Sequence, residues 1–278
     1  MKNQPALDAH SIQNTMLLPL WGRAAASEKN PDILYDRQAI EIIKKCDYNF
    51  DSIAKAFGGE FSGICYVVRA RKIDDAIRAY MQAHPRATIV NIGAGLDTTF
   101  SRVDNGMIRW YNLDLPDAIA YRQSFIPDSE RNRSIAKSFF DTTWFEDVHF
   151  TPEEGIMFVA GGVFYYFREE ELREVVAAMA RRFPVGELYF DAESKQAVDK
   201  SNRMVQKTGN QGAPMYFYVN DASALNSWAP EISVISCLDY FAGIPRNRQW
   251  SWQSRLMTRI LGRLGMMKFI HLGFSHER

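Results

Sequence analysis

Two glycines, two carboxylates and one arginine stand where their types and spacing do chemistry. In ATIVNIGAGLDTTF, Ala87 to Phe100, a β-branched apolar run leads straight into Gly93-x-Gly95 and then into a helix start. A strand, a glycine turn and a helix N-terminus leave backbone N–H groups open to a ligand. The dinucleotide fingerprint needs a third glycine three positions after the second, and Thr98 stands there instead, which argues against NAD and its pyrophosphate. Asp114 closes RWYNLD, about twenty residues after the glycines, the spacing at which an acid accepts hydrogen bonds from both ribose hydroxyls. Its other available role is to cap the turn before Pro116. Asp141 follows in SIAKSFFDTTWF, beside Phe139, Phe140 and Trp144. Aromatic walls with one carboxylate suit an adenine, whose exocyclic amine needs an acceptor. The same Asp141 can instead serve as a helix N-cap.

Arg69 is the remaining chemical signal. If CYVVRARKIDDAIRAYM is helical, Arg69, Ile73, Ile77 and Tyr80 share one apolar face. A guanidinium there needs a partner, either a ligand carboxylate taken by its bidentate fork or an acid of the core. Arg71 with Asp75 and Asp74 with Arg78 read as i,i+4 pairs on the solvent side.

These groups need a scaffold, and the rest of the chain supplies the pattern of one. Up to about residue 85 no strand alternation occurs, and NPDILYDRQAIEIIKKC and the Arg69 segment read as helices. Strands are predicted at Thr88–Ile92, Ile108–Leu113, Ser134–Phe139, Gly155–Ala160 and Glu187–Asp191, with Ile232–Ser236 and Met267–Phe274 following. EEELREVVAAMARRF places Leu172, Val175, Val176, Met179 and Phe183 on one face. Alternating strands and helices predict an α/β fold with a doubly wound sheet. Residues 195–230 break the rhythm and read as a cap insertion, so the chain is one domain: a helical N-terminal region to 85, a ligand-binding core over 86–194, the cap, and the last strands over 231–278.

Composition removes other classes. The chain has 278 residues, 46% of them hydrophobic, enough for a full α/β core. Its 33 basic and 33 acidic residues cancel, and no basic block stands out, so no nucleic-acid partner is expected. The start MKNQPALDAH has no apolar core of signal-peptide length and no window reaches membrane-span length, so the expectation is a cytoplasmic protein without a membrane partner. Cys46, Cys65 and Cys237 are odd in number and scattered, fitting neither disulfides nor a metal.

The runs SIQNTMLLPLWGRAAASEKNPDILYDRQA, YVVRARKIDDAI, IVNIGAGLDTTFSRV, WYNLDLPDAI, SFFDTTW and GGVFYYF resemble, in order and spacing, the leucine carboxyl methyltransferase-like family, which includes polyketide O-methyltransferases of the tetracenomycin type. The similarity runs from about Ser11 to Arg182. It implies a Rossmann-like class I fold with a seven-stranded sheet, and S-adenosylmethionine (SAM) as cofactor. By this resemblance Gly93 and Gly95 pass under the methionine part of SAM, Asp114 with Leu115 beside it holds the ribose, and Asp141 with Thr142 borders the adenine. Arg69, helped by Arg23, takes the SAM carboxylate. Two departures stand out. Gly161-Gly162 replaces the family's Glu-Gly, removing a carboxylate beside the cofactor, and Thr143 stands where members that methylate a protein C-terminus carry Arg.

A phenol or alcohol acceptor needs a general base and a carboxylate does not. Tyr166, past the carboxyl end of the fourth strand, and His149, in the loop before that strand, are the candidates, with Tyr165 pointing the other way; His271 reads as a satisfied core histidine. The resulting expectation is O-methylation of a small-molecule carboxylate or hydroxyl. Protein C-terminal methylation, or a catalytically silent SAM-fold protein lacking the family's glutamate at Gly161, are the alternatives.

Overall fold

The computed structural model describes residues 14–46, 50, 59–207, 214–245 and 247–275. Among the described residues the first full helices are α1 (Asn14–Ser27), α2 (Arg37–Lys45) and α3 (Gly59–Ala83). Then follow β1 (Thr88–Ile92), α4 (Thr99–Val103), β2 (Arg109–Asp114), α5 (Pro116–Gln123), β3 (Asn132–Ala136) and β4 (Ile156–Ala160). The rest comprises α6 (Glu169–Arg182), β5 (Glu187–Glu193), α7 (Lys195–Lys207), β6 (Ile232–Asp239), α8 (Trp252–Arg263) and β7 (Met267–Phe274). Short 3₁₀ turns lie at Thr142–Asp147, Phe164–Tyr166 and Ala222–Ser227.

The strands form one sheet in the order β3-β2-β1-β4-β5-β7-β6. β3 to β5 run parallel, and β7 is antiparallel to both β5 and β6. Strand order reverses between β1 and β4, so their carboxyl ends open a crevice, the place where open α/β sheets hold ligands. Both central strands are buried on both faces because TIVNI and IMFVA offer apolar side chains to each. Val90, Ile92, Phe158, Ala160 and Phe190 face the core under α6. Ile89, Met157, Val159 and Tyr189 face α3, which contributes Ile64, Ile73, Ile77 and Tyr80.

Sequence and structure part company at the ends of elements. β3 starts and stops earlier than predicted, because the chain after Ala136 turns toward the 3₁₀ turn at Thr142. β5 and β6 run on to Glu193 and Asp239, since β7 pairs with both over their whole length. The stretch read as loop opens with α7, whose KQAVDKSNRMVQK carries few apolar side chains to show a period; the glycines of that loop, at 209 and 212, lie outside the described residues. No helix among the described residues is long and apolar enough to cross a membrane.

Candidate active site

The glycine loop closes over the end of β2. Gly93 and Ala94 donate their N–H groups to the Leu113 carbonyl at 2.8 and 3.2 Å. Gly93 has φ +63°, and a Cβ there would stand 2.4 Å from Val163 Cγ2, so this position accepts only glycine. Two buried arginines hold the loop carbonyls: Arg122 Nη1 donates to Gly95 O and Asp97 O at 3.0 and 2.6 Å, and Arg23 Nη2 to Leu96 O at 3.0 Å. Arg23 Nε in turn donates to Asp36 at 3.1 Å. Arg23, assigned by resemblance to the cofactor carboxylate, thus has protein partners and braces the loop from behind.

Asp36 is the hub of that brace. Fully buried, it also accepts from Arg102 Nη1 at 2.8 Å, Thr98 Oγ1 at 2.6 Å and Ala39 N at 3.0 Å. Thr98, which counted against a dinucleotide, is there as a donor to this acid. Arg102 also grips Asp74 with two bonds of 2.8 and 2.9 Å. Asp74 is therefore buried on Arg102 rather than on the solvent side, and its expected i,i+4 ion pair with Arg78 is present at 3.7 Å.

Asp114 ends β2 with both carboxylate oxygens engaged, Oδ2 by Gly95 N and Oδ1 by Leu115 N, each at 2.8 Å. Burial pushes its pKa up, and the two N–H groups pull against that. Each oxygen still has acceptor capacity left. Leu115 beside it is 41% exposed, an apolar surface next to a carboxylate. Asp141 caps the 3₁₀ turn, accepting from Thr143 N at 3.1 Å and Thr143 Oγ1 at 2.7 Å; Asp141 and Thr142 are exposed. Trp144 is no wall for a base: it is fully buried, donates to Phe139 O at 3.0 Å and stacks on Phe183. Of the three aromatic side chains predicted there, Phe140 stays partly open, edge-on to Phe167.

Arg69 sits under the β4 turn. Its Nε donates to Asp191 Oδ2 and its Nη2 to the Tyr165 hydroxyl, both at 2.8 Å, and the Tyr165 hydroxyl also donates to Asp191. Gly162 N donates to the other Asp191 oxygen at 2.7 Å. Of the two partners open to Arg69, the acid of the core is thus present. Gly162 has φ +79°, and a Cβ there would lie 2.6 Å from Arg69 Nη1, so glycine keeps that nitrogen accessible. A Cβ at Gly161 would press on Ile73 Cδ1 at 2.6 Å. Sequence reading missed Asp191 and gave Tyr165 no partner; the signal was an acid inside the buried run ELYFDAE. It also missed Glu193, which faces the same side two residues further on. Burial and the Asp191 charge push the Glu193 carboxyl up to about 7, against the pull of Arg69.

A raised carboxyl pKa favours the protonated folded state, so this part of the stability is full below the unfolded value near 4.5 and disappears as pH climbs through about 7. Glu193→Gln should therefore gain steadily on the parent chain from about pH 4.5 to about pH 7, with a gap that is small at pH 5 and full above pH 7. Urea midpoints at pH 5 and pH 8 measure this, and a constant gap would show that Glu193 titrates normally.

His149 is misplaced as a base. Its carbonyl accepts from Thr88 Oγ1 at 2.9 Å, and its N–H reaches the Tyr111 hydroxyl at 3.3 Å. Thr88 begins β1, so His149 lies at the amino ends of the strands, lining a cavity of about 450 Å³ with Arg109, Arg131 and Thr151. Glycine loop and acids lie across the sheet. Tyr166 stays at the carboxyl end, half-buried, with Tyr165 turned inward as expected. His271 Nε2 meets Glu187 Oε2 at 2.7 Å, a satisfied partner on the neighbouring strand.

The comparisons agree with this geometry. A family model described as leucine carboxyl methyltransferase matches residues 17–180. The tetracenomycin polyketide synthesis O-methyltransferase TcmP of Streptomyces glaucescens is 29% identical over 276 residues, 96% of this chain and 94% of its own. A structure from Thermobifida fusca, proposed to be a methyltransferase, superposes with TM-score 0.62 at 11% identity, covering 98% of this chain and 97% of that one. A SAM-dependent methyltransferase from Anabaena variabilis gives 0.50 at 10% identity over 98% of both chains. At such identities the structures speak for the fold alone, whereas the family match spans more than half of the chain. With glycine loop, acidic β2 end and strand order all in place, the chain belongs to the leucine carboxyl methyltransferase family and is a SAM-dependent methyltransferase.

Proposed function

We propose that the chain methylates an oxygen of a small, polyketide-type acceptor, with SAM held at the carboxyl ends of β1, β2 and β4. The observation that carries the cofactor assignment is Asp114, fixed by Gly95 and Leu115 yet with acceptor capacity left, beside the exposed Leu115. Asp114 would take the ribose hydroxyls, Leu115 would cover the base, and Asp141 with Thr142 would border it. Arg69 would offer Nη1 to the carboxylate past Gly162, while Nε and Nη2 stay on Asp191 and Tyr165. Asp191 places a carboxylate on the N–H of Gly162, next to the position where the family has glutamate, so Gly161 does not leave the site without an acid.

When bound, SAM supplies a methyl group already activated on a sulfonium. The chain's own work is alignment and exclusion of water. Arg122 and Arg23 immobilise the loop carbonyls, and Met16 lies over Gly95, where a Cβ would be 3.1 Å from its Cγ. Tyr166 would orient the acceptor oxygen: burial raises its pKa, so the phenol stays a hydrogen-bond donor at neutral pH. The small-molecule acceptor is supported by the similarity to TcmP and by Thr143, which offers no charge for a protein C-terminus.

Labelled SAM incubated with aromatic polyketide acids, with phenols and with a peptide ending in leucine tests this reading. Label should enter the organic-extractable acids or phenols, and mild base separates ester from ether. Label in the peptide alone would reverse the proposal. Asp114→Ala should weaken SAM binding at least tenfold, in line with roughly 1.5–3 kcal/mol for a charged hydrogen bond, read by calorimetry. Affinity equal to that of the parent chain would place the nucleoside elsewhere.

A further inference from the structure

One face of α8 is anchored and the other is bare. Glu60, at the start of α3, accepts from Ser251 N at 3.1 Å and from the Ser251 and Ser254 hydroxyls at 2.6 and 2.5 Å, which pins the helix start. Ser254, Thr258 and Leu261 are buried beneath it. On the outer side Trp252, Leu256, Ile260 and Leu264 recur every four residues and are 66, 44, 40 and 62% exposed. Arg255, Arg259 and Arg263 recur at the same interval alongside them, exposed, and none forms an ion pair among the described residues. No Asp or Glu occurs from Tyr240 through His276. Charge balance over the whole chain hid this local excess of arginine.

We propose that this face of α8 docks on an anionic lipid surface, the helix lying in the plane of the interface. The apolar row is a ridge of about 18 Å at 1.5 Å per residue, too short to span but long enough to sink between headgroups. Trp252 suits the boundary between acyl chains and water, and the guanidinia reach anionic headgroups from the same face. Charge complementarity selects the occupant. A second copy related by a two-fold axis would set these arginines against themselves with no acid to answer them. A nucleic acid would answer the arginines and leave the tryptophan, leucines and isoleucine wet. The expectation of no membrane partner rested on the lack of a spanning segment, and a surface helix requires none.

Sedimentation of the intact protein with phosphatidylglycerol–phosphatidylcholine vesicles, and with pure phosphatidylcholine, needs no methyl transfer, so it stands apart from the test of function. Binding should occur on the anionic vesicles and weaken with salt. The triple variant Arg255→Gln, Arg259→Gln, Arg263→Gln should bind roughly a hundredfold more weakly, about fivefold per arginine. Leu256→Ser with Ile260→Ser should lose roughly tenfold or more while keeping the parent urea midpoint. Protein left in the supernatant at low salt, or equal binding to zwitterionic vesicles, would overturn the proposal. Serine variants that bind as tightly as the parent would do so too, since the attraction would then be to charge alone.

Discussion

Arg69→Met should lower the free energy of unfolding by roughly 3–5 kcal/mol, with or without cofactor, because it strands a buried acid. Asp191 is 2% exposed, and its remaining donors would be the Gly162 amide and the Tyr165 hydroxyl, neither of them charged. Arg69→Lys should recover part of the loss, keeping the charge but missing the fork that spans Asp191 and Tyr165 together. Asp191→Asn should lose stability too, and the double variant Arg69→Met, Asp191→Asn should be less damaged than the sum of the singles, as expected for groups in contact. Urea midpoints of all four variants, with SAM affinity measured on the folded protein, separate the two roles of Arg69. An unchanged midpoint with lost SAM affinity would make Arg69 a ligand group only.

Asp36→Asn should be about as damaging, again roughly 3–5 kcal/mol, because Arg23 and Arg102 then lose their shared acid in the interior. The loss has a pH signature. Burial alone would raise the Asp36 carboxyl, but Arg102, Arg23 and the Thr98 hydroxyl outweigh it and hold the carboxyl below its ordinary value. A depressed carboxyl contributes stability above its unfolded pKa and loses it as pH falls through the folded one. The gap between parent and variant should thus be full at pH 7 and narrow on the acid side. Asp74 moves the other way: burial outweighs Arg102 and raises its carboxyl, so its contribution is greatest in acid and declines as pH rises through its folded pKa. Unfolding curves from pH 7 downward check this, and a gap independent of pH would mean that Asp36 titrates in the fold as it does in the unfolded chain.

The strands were legible because each central one is a short β-branched or aromatic run buried on both faces, and β1 and β7 fall where the sequence puts them. α7 was not: among its described side chains only Ala197 and Val198 are buried. Partners separated by long stretches were also hidden: Arg69 lies 122 residues from Asp191, and Arg102 lies 66 from Asp36. His149 was recoverable from topology. Parallel β3 and β4 oblige the chain to return to the amino edge before β4 starts, and His149 lies on that return. Thr98 shows the reverse case, a residue whose identity was informative before its partner was known.

The placement of β7 sets an order of events during synthesis. Among the described residues β6 pairs only with β7, and β5 has β7 on its outer edge, although β6 is made first. Until Met267–Phe274 leaves the ribosome, β5 presents a bare row of N–H and C=O groups, and the Val234–Leu238 run of β6 has nothing to pair with. Such open edges invite pairing with other chains. A nascent chain stalled between β6 and β7 should therefore engage chaperones and resist proteolysis poorly at β6, while β1, β2 and β4 already have a strand on either side.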